Sequence, residues 1–363
     1  MNPSVALSGD APRVIDEWQE VPPIWDAVRF SVDQENPKKG LFILTGSSTP
    51  NDNEVIHSGV GRISTISMRT MSLFESGDST GQVSIRSMFD SSFKDTVTGD
   101  VGLEHLIFLT ARGGWPASLS LDEKGGLSIA SDYLEGVIRN DLKRLNGGGR
   151  DEIKFRMLLR SLARNESSVA TMKTIMSDIN EFEVTEISRI TLDAYLNDLQ
   201  RLHLIANCEP FNPKLRSKDR VGKAVKRHFT DPSLAIAALG ATPSMLMNDL
   251  ETYGFMFEAM CDRDLDIYAT ALGGKLYHYR DKEGYELDAV IILADGRWGA
   301  FEIKLGYHQV DEGAENLNRV CDYIGNNSRV GPPVFKCVIC GTAIAAMRRN
   351  DGVYVVPITA LRN

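Results

Sequence analysis

Acidic residues that could hold a divalent cation occur at two places in the sequence. Near the N-terminus, Arg13-Val14-Ile15-Asp16-Glu17 is a short apolar strand that ends in two adjacent acids. In nucleotide hydrolysis such a strand delivers one carboxylate, here Asp16, to Mg²⁺ and a second, here Glu17, to the attacking water. The pattern alone is weak, because acids at the start of a helix look the same.

The second acidic pattern lies in the C-terminal third, where Asp288 is followed, after a predicted hairpin, by Glu302-Ile303-Lys304. Carboxylates on adjacent strands, here Asp288 and Glu302, can hold a Mg²⁺ that polarises a phosphate and activates a water. Residues i and i+2 of a strand share a face, so Lys304 is expected beside Glu302, where its ammonium can orient the water or offset negative charge. Glu258, on the preceding predicted helix, is placed to complete this cluster.

This spacing is that of the PD-(D/E)XK nuclease core, in which an acid, a hairpin and then acid-x-Lys follow one another. Two other interpretations remain open. In the first, the acids are exposed charges at strand ends, and Lys304 only pairs with Glu302. In the second, the nuclease fold serves assembly or docking without cleavage.

The order of predicted helices and strands that carry these residues indicates a multidomain α/β protein with three regions. Residues 1–120 alternate strand, helix and strand, which favours a parallel sheet of the P-loop NTPase type. Residues 121–240 are mainly helical. Residues 241–363 give the order α-β-β-β-α-β of a restriction-endonuclease-like domain, with turns at Asp281-Lys282-Glu283-Gly284 and Asp295-Gly296.

Within the helical region, two predicted helices followed by a short extended pair match a winged helix-turn-helix. The helices are expected near residues 172–179 and 191–202, with Thr191 as an N-cap, and the extended pair at 204–206 and 223–229.

The most basic stretch of the chain runs from 214 to 227, close to the predicted wing. On a winged helix these side chains could contact nucleic-acid phosphates. The alternatives are a solvated basic loop or a surface that docks on an acidic neighbour. The basic residues are Lys214, Arg216, Lys218, Arg220, Lys223, Lys226 and Arg227.

Composition narrows the class of protein. The 363 residues carry a net charge of −9 and 42% apolar residues, as in ordinary globular proteins. No run approaches the roughly 20 apolar residues of a membrane span, so no membrane partner is expected. Five scattered cysteines predict a reducing cytoplasm. Cys337 and Cys340 fall on a predicted buried strand and are interpreted as core residues rather than a metal or redox pair.

Several motifs in order make the chain resemble prokaryotic AAA-family ATP-binding proteins that carry a winged-helix region and a C-terminal nuclease-like domain of unknown function. The resemblance covers nearly the full length. The motifs are Pro12-Arg13-Val14-Ile15-Asp16-Glu17-Trp18-Gln19, Phe42-Ile43-Leu44-Thr45-Gly46-Ser47-Ser48, Met71-Ser72-Leu73-Phe74-Glu75, Gly113-Gly114-Trp115-Pro116, Asp231-Pro232-Ser233-Leu234, Phe257-Glu258, Glu286-Leu287-Asp288 and Phe301-Glu302-Ile303-Lys304.

The resemblance implies roles for particular residues. Asp16 and Glu17 match the Walker B acids, for Mg²⁺ coordination and water activation, and Thr45 or Ser47 matches the polar sensor of the γ-phosphate. Arg62, with Arg69 behind it, matches an arginine finger acting in trans, which implies a homo-oligomer. The nuclease-like signature falls on Glu258, Asp288, Glu302 and Lys304.

The chain departs from the family at the phosphate-binding loop. No G-x-x-x-x-G-K-[ST] occurs in the sequence, and the family begins about one βα unit earlier. We therefore expect either a start codon assigned too late or a truncated product, with ATP binding compromised because most phosphate contacts are lost. The favoured function is an AAA-type ATP-binding protein that acts on DNA with Mg²⁺. The alternative is a non-catalytic DNA-binding or protein-docking module with relict ATPase and nuclease folds.

Overall fold

The computed structural model describes residues 3–34, 39–47, 59–141, 151–183, 186–213, 225–328 and 330–363. The chain is a mixed α/β protein that divides into two compact units. The first comprises Met1–Met68 with Leu196–Leu204, and the second Arg69–Tyr195 with Ile205–Asn363.

The two helices expected near residues 172–179 and 191–202 are present, with ends that differ from the prediction by up to three residues. Residues 152–164 form one helix because Asp151 accepts hydrogen bonds from Ile153 N at 2.9 Å and Lys154 N at 3.3 Å, which caps its N-terminus. The helices are α1 Pro3–Ala6, α2 Pro23–Gln34, α3 Ile85–Phe89, α4 Leu103–Arg112, α5 Glu123–Gly136, α6 Glu152–Arg164, α7 Met172–Phe182, α8 Arg189–Arg201, α9 Pro232–Leu239, α10 Pro243–Asn248, α11 Leu250–Ala271 and α12 Val310–Asn327.

The strands are short in the first half of the chain and longer in the second, where runs of Val, Ile and Phe favour extended backbone. They are β1 Arg13–Ile15, β2 Phe42–Leu44, β3 Val83–Ser84, β4 Thr96–Val97, β5 Ile205–Pro210, β6 Lys226–Phe229, β7 Gly274–Arg280, β8 Glu286–Leu293, β9 Trp298–Lys304, β10 Phe335–Cys340, β11 Ala345–Arg348, β12 Tyr354–Pro357 and β13 Leu361–Arg362.

In the first unit, β1 and β2 pair in parallel, with Val14 opposite Ile43. The parallel arrangement predicted for this region is therefore confirmed for these two strands. A 3₁₀ turn, Trp18–Glu20, and helix α2 connect the two strands. The partial P-loop NTPase-like sheet expected for this region stays a prediction.

In the second unit, nine of the described strands form one mixed sheet in the order β4-β11-β12-β10-β9-β8-β7-β5-β6. Strands β7, β8 and β9 are antiparallel neighbours, whereas β10 is parallel to β9 and is reached through α12. The α-β-β-β-α-β order predicted for the C-terminal region is confirmed as α11-β7-β8-β9-α12-β10. A restriction-endonuclease-like fold stays a prediction.

Helix α12 covers one face of the sheet and builds a core with it. Its apolar stripe, which includes Leu317 and Val320, packs with Trp298 and Ala300 of β9 and with neighbouring strands. Cys337 and Cys340 are both fully buried in β10, as expected for core residues. Burial raises the pKa of the Cys337 thiol, which keeps it protonated.

The two helices and the antiparallel strand pair expected for a winged helix are present as α7, α8, β5 and β6. However, β5 also pairs in parallel with β7, with Glu209 opposite Tyr277. The β5–β6 pair is therefore part of the large sheet. Strands from before and after residue 240, where a domain boundary was expected, belong to this one sheet. The winged-helix assignment itself stays a prediction.

Candidate functional site

The two predicted metal-binding acids lie side by side where β8 meets β9. Ala289 pairs with Phe301 in this antiparallel ladder, which places Asp288 and Glu302 opposite each other one step further on. The backbone N–H of Ile303 donates to Asp288 Oδ2 at 2.7 Å, so one carboxylate oxygen of Asp288 is fixed by the neighbouring strand. The structure therefore brings Asp288 and Glu302 together, as the sequence pattern predicts.

Lys304 lies on the same face of β9 as Glu302, as the two-residue period requires. Its Nζ is 3.3 Å from Glu302 Oε2. Asn316 of α12 donates to the other oxygen, Glu302 Oε1, at 2.9 Å and thereby fixes the carboxylate orientation. Gly313 of α12 leaves room for the lysine stem, since a Cβ at Gly313 would lie 3.3 Å from Lys304 Cε and Cγ.

Electrostatics at this pair reflect two acids held close together away from water. Burial and the neighbouring Asp288 raise the pKa of Glu302 to about 8. Burial also raises the pKa of Asp288. The pKa of Lys304 is raised as well, because Glu302 and Asp288 outweigh the opposing effect of burial. A cation placed between the two acids would relieve their repulsion.

Glu258 of α11 joins the cluster through Lys226, a residue of the basic stretch from 214 to 227. Lys226 Nζ donates to Glu258 Oε1, to Asp262 Oδ2 at 2.8 Å and to the carbonyl oxygen of Asp288 at 3.4 Å. Burial and Asp288 raise the pKa of Glu258 to about 7, although Lys226 opposes them. All four predicted residues of the nuclease-like signature are thus brought together.

Asp262 and His228 extend the cluster inward. His228 Nδ1 lies 2.9 Å from Glu166 Oε1 and its Nε2 lies 3.2 Å from Asp262 Oδ2. Burial lowers the pKa of His228, but the neighbouring carboxylates of Asp262 and Glu166 outweigh it and raise the pKa to about 9. These contacts could not be predicted from local patterns, because the three partners come from separate segments of the chain.

Two open clefts adjoin the cluster. One, of about 460 Å³, is lined by Asp288, Glu302, Lys304 and polar residues of α12. The other, of about 660 Å³, is lined by Glu258, Lys304 and apolar residues such as Phe255 and Leu305. Lys304 borders both clefts, so a ligand in either one can reach its ammonium.

The donor set limits which metal this cluster can take. Among the residues that the structure describes, no group of three or more His, Cys, Asp or Glu side chains is arranged to hold a metal ion. Mg²⁺, however, is usually bound by one or two carboxylates together with waters and substrate phosphates. Asp288 and Glu302 supply such a pair, so the residues fit Mg²⁺ bound together with a phosphate.

The N-terminal acids form a second, smaller polar cluster within the first unit. Thr45 Oγ1, at the end of β2, donates to Asp16 Oδ1 at the end of β1. Ser47 Oγ donates to Glu17 Oε2 at 3.2 Å, and Gln19 Nε2 donates to the same oxygen. The parallel pairing of β1 with β2 brings these groups to one edge of the strand pair. Their assignment as Walker B acids and polar sensor stays a prediction.

Comparison with known families divides the chain into three matched stretches. Residues 5–76 match the model of an AAA domain. The chain is AAA-ATPase-like at its N-terminus. Residues 103–245 match a domain of unknown function (DUF8612), and residues 253–361 match a second one (DUF4143). No curated protein and no solved structure matches the chain.

The two arginines considered as fingers are engaged within the chain. In the AAA-like region, Arg62 Nε lies 2.6 Å from Asp33 Oδ1, with its side chain still half exposed. Arg69 pairs with Asp266 of α11, and burial lowers the pKa of its guanidinium. Neither arrangement tests a role in trans, and Arg62 stays the candidate.

The structure corrects the expectation for one residue of the basic segment. Lys226 is only 4% exposed and is enclosed by acids, so its ammonium cannot contact a nucleic-acid phosphate. Arg227 is half-buried, and its Nη1 donates to Ala170 O at 2.9 Å. The remaining five residues lie outside the described part of the chain; they are Lys214, Arg216, Lys218, Arg220 and Lys223.

Among the helices of the described ranges, none combines the length and the apolar character needed to cross a bilayer.

Proposed function

We propose that the cleft containing Asp288, Glu302 and Lys304 is a Mg²⁺-dependent phosphodiester-hydrolysing site that acts on DNA, in a protein with an AAA-ATPase-like N-terminal region. The observation that carries the proposal is the pairing of Asp288 and Glu302 across β8 and β9, with Lys304 Nζ 3.3 Å from Glu302 Oε2. This arrangement supplies two carboxylates and one ammonium at the wall of an open cleft.

Each side chain has a defined task in this proposal. Asp288 and Glu302 would hold Mg²⁺, which when bound supplies Lewis-acid stabilisation of phosphate charge and a more acidic water. Lys304 places a positive charge where negative charge develops on the phosphate. Asn316 and the N–H of Ile303 keep the two carboxylates in position, so that no reorientation is needed when substrate arrives.

In the AAA-like region, Asp16 and Thr45 would face the nucleotide, with Glu17 beside Ser47. Their hydrogen bonds support this assignment because they bring a carboxylate and a hydroxyl to the same strand edge. An arginine finger in trans would require a homo-oligomer, with Arg62 as the candidate.

A second function, non-catalytic DNA binding or protein docking, is favoured by one observation. Lys226 neutralises Glu258, an acid that the sequence pattern assigns to the catalytic cluster. A cluster in which acids are paired internally can serve stability alone.

Cleavage assays separate the two functions. Single- and double-stranded DNA are incubated with Mg²⁺ and the unmodified protein, Glu302→Gln or Lys304→Met. We expect both variants to lower the cleavage rate about 100-fold or more. Glu315→Gln, at an exposed rim position of the same cleft, is the matched control and should retain the rate. Equal rates in all proteins, or no cleavage by any, would refute hydrolysis at this cleft.

A further inference from the structure

Lys226 projects from β6 into the acidic cluster and satisfies all of its hydrogen-bonding capacity there. An ammonium has three N–H donors. Those of Lys226 meet a carboxylate oxygen of Glu258, a carboxylate oxygen of Asp262 and the carbonyl oxygen of Asp288. Carboxylate and carbonyl oxygens are also the ligands that hard divalent cations prefer. The ammonium therefore sits among groups that suit a metal ion.

The cluster has more acceptor oxygens than Lys226 has N–H donors, and Asp262 carries one of the oxygens left over. Its side chain is 3% exposed, and its Oδ1 is buried without a hydrogen-bond donor among the described residues. A buried carboxylate oxygen normally has a partner. The unpartnered oxygen is thus a spare ligand within the same cluster.

A solvent path to these oxygens exists beside Glu258. Its side chain is 18% exposed and borders the cleft of about 660 Å³. Asp262, by contrast, faces the interior, where Lys226 and His228 both contact its Oδ2. Solvent access alone therefore does not keep a cation away from Glu258 and Asp262. The positive charges of Lys226 and His228 do so.

We propose that Lys226 is a fixed internal cation that takes the place of a divalent ion between Glu258 and Asp262, and so limits the acidic cluster to one metal ion at Asp288 and Glu302. The second half of this statement rests on the proposed function, and the first half does not. Lys226 is accordingly a positioning residue: it holds Glu258 out of the metal's ligand set.

Counting Mn²⁺ sites tests the proposal without relying on activity. Mn²⁺ is titrated into the full chain, and free Mn²⁺ is followed by electron paramagnetic resonance. We expect Lys226→Met to bind one more Mn²⁺ than the unmodified protein does, with that additional site lost in Lys226→Met/Glu258→Gln. The control is Lys275→Met, which removes an exposed lysine 2.8 Å from Glu209 and should bind as the unmodified protein does.

The outcomes separate this inference from the proposed function. No additional site in Lys226→Met, or a site in the unmodified protein that already needs Glu258, overturns the inference. No site in the unmodified protein but one in Lys226→Met that needs Glu258 supports the inference and removes the metal from the proposed function.

A second variant keeps the test decisive if the single substitution prevents folding. Lys226→Met/Asp262→Asn removes one charge of each sign, and the asparagine amide still offers an oxygen ligand. Here too we expect one additional Mn²⁺ site that is lost on Glu258→Gln. Its absence in the folded double variant overturns the inference.

Discussion

Arg263 of α11 should be among the most costly single positions to neutralise. Its guanidinium is buried and reaches two carboxylates, with Nη1 3.0 Å from Asp231 Oδ2 and Nη2 2.7 Å from Asp264 Oδ1. Both carboxylates are fully buried. Burial would raise the pKa of Asp231, but Arg263 and several hydrogen-bond donors hold it below its usual value.

These carboxylates also fix distant backbone. Asp231 accepts from Gly114 N at 2.9 Å, and Asp264 accepts from Leu73 N at 2.9 Å. Three of the motifs that carry the family resemblance therefore meet at one buried charge cluster. Gly114 cannot be replaced here without movement, since a Cβ would lie 2.0 Å from Met71 O.

Arg263→Met keeps the aliphatic stem but leaves two buried acids without their cation. Removing one partner of a buried ion pair typically costs about 3 to 5 kcal/mol. Because Asp231 and Asp264 keep their backbone donors, we expect a loss of about 3 kcal/mol in the free energy of unfolding. Arg263→Met/Asp264→Asn should recover part of this loss, because one unpaired charge is removed together with the cation.

Urea unfolding followed by tryptophan fluorescence measures this difference. Arg297→Met is the control, because Arg297 makes comparable contacts with Asp295 and Asp90 at the surface. We expect that control to unfold as the unmodified protein does. A change of less than about 1 kcal/mol for Arg263→Met would refute the reasoning that the buried carboxylates depend on this guanidinium.

Two further predictions concern the acidic cluster. The pKa of His228 is about 9 in the folded protein, against an ordinary value of 6.5. Its contribution to the free energy of unfolding is therefore full below pH 6.5 and is lost as pH rises through about 9. Unfolding free energy should therefore fall across this window by up to roughly 1.4 kcal/mol per pH unit, and His228→Gln should flatten that slope; parallel slopes would contradict it. Gly313→Val should displace the Lys304 stem and slow DNA cleavage about 10- to 100-fold, whereas Gly325→Val, in open space on the same helix, should not; equal rates for the two would contradict this placement.

Local patterns predicted much of the C-terminal fold and the core of its site. The two-residue period of a strand places Lys304 beside Glu302, and the hairpin spacing brings Asp288 opposite, so both follow from sequence. Helix termini were less secure. Ser188 rather than Thr191 caps α8, since Ser188 Oγ accepts from Thr191 N at 3.1 Å.

Contacts between distant elements could not be predicted in the same way. Lys226 belongs to a basic run, and nothing local shows that its side chain turns inward to acids 32 and 36 residues away. Asp262, Arg263 and Asp264 are three consecutive charged residues, which composition alone would place in solvent, yet all three are buried. Their burial depends on where other strands and loops pack, which a single sequence does not specify.

A separate two-stranded sheet of the second unit, formed by β3 and β13, has a consequence for synthesis of the protein on the ribosome. β3 pairs with β13, and Ser79 Oγ donates to Leu361 O, 282 residues further along the chain. At about 5 to 20 residues per second, the early segment waits on the order of 15 to 60 s for its partner. During that time Val83, which pairs with Leu361 in the folded protein, lacks this strand partner, so nascent chains should depend on chaperones that shield apolar segments.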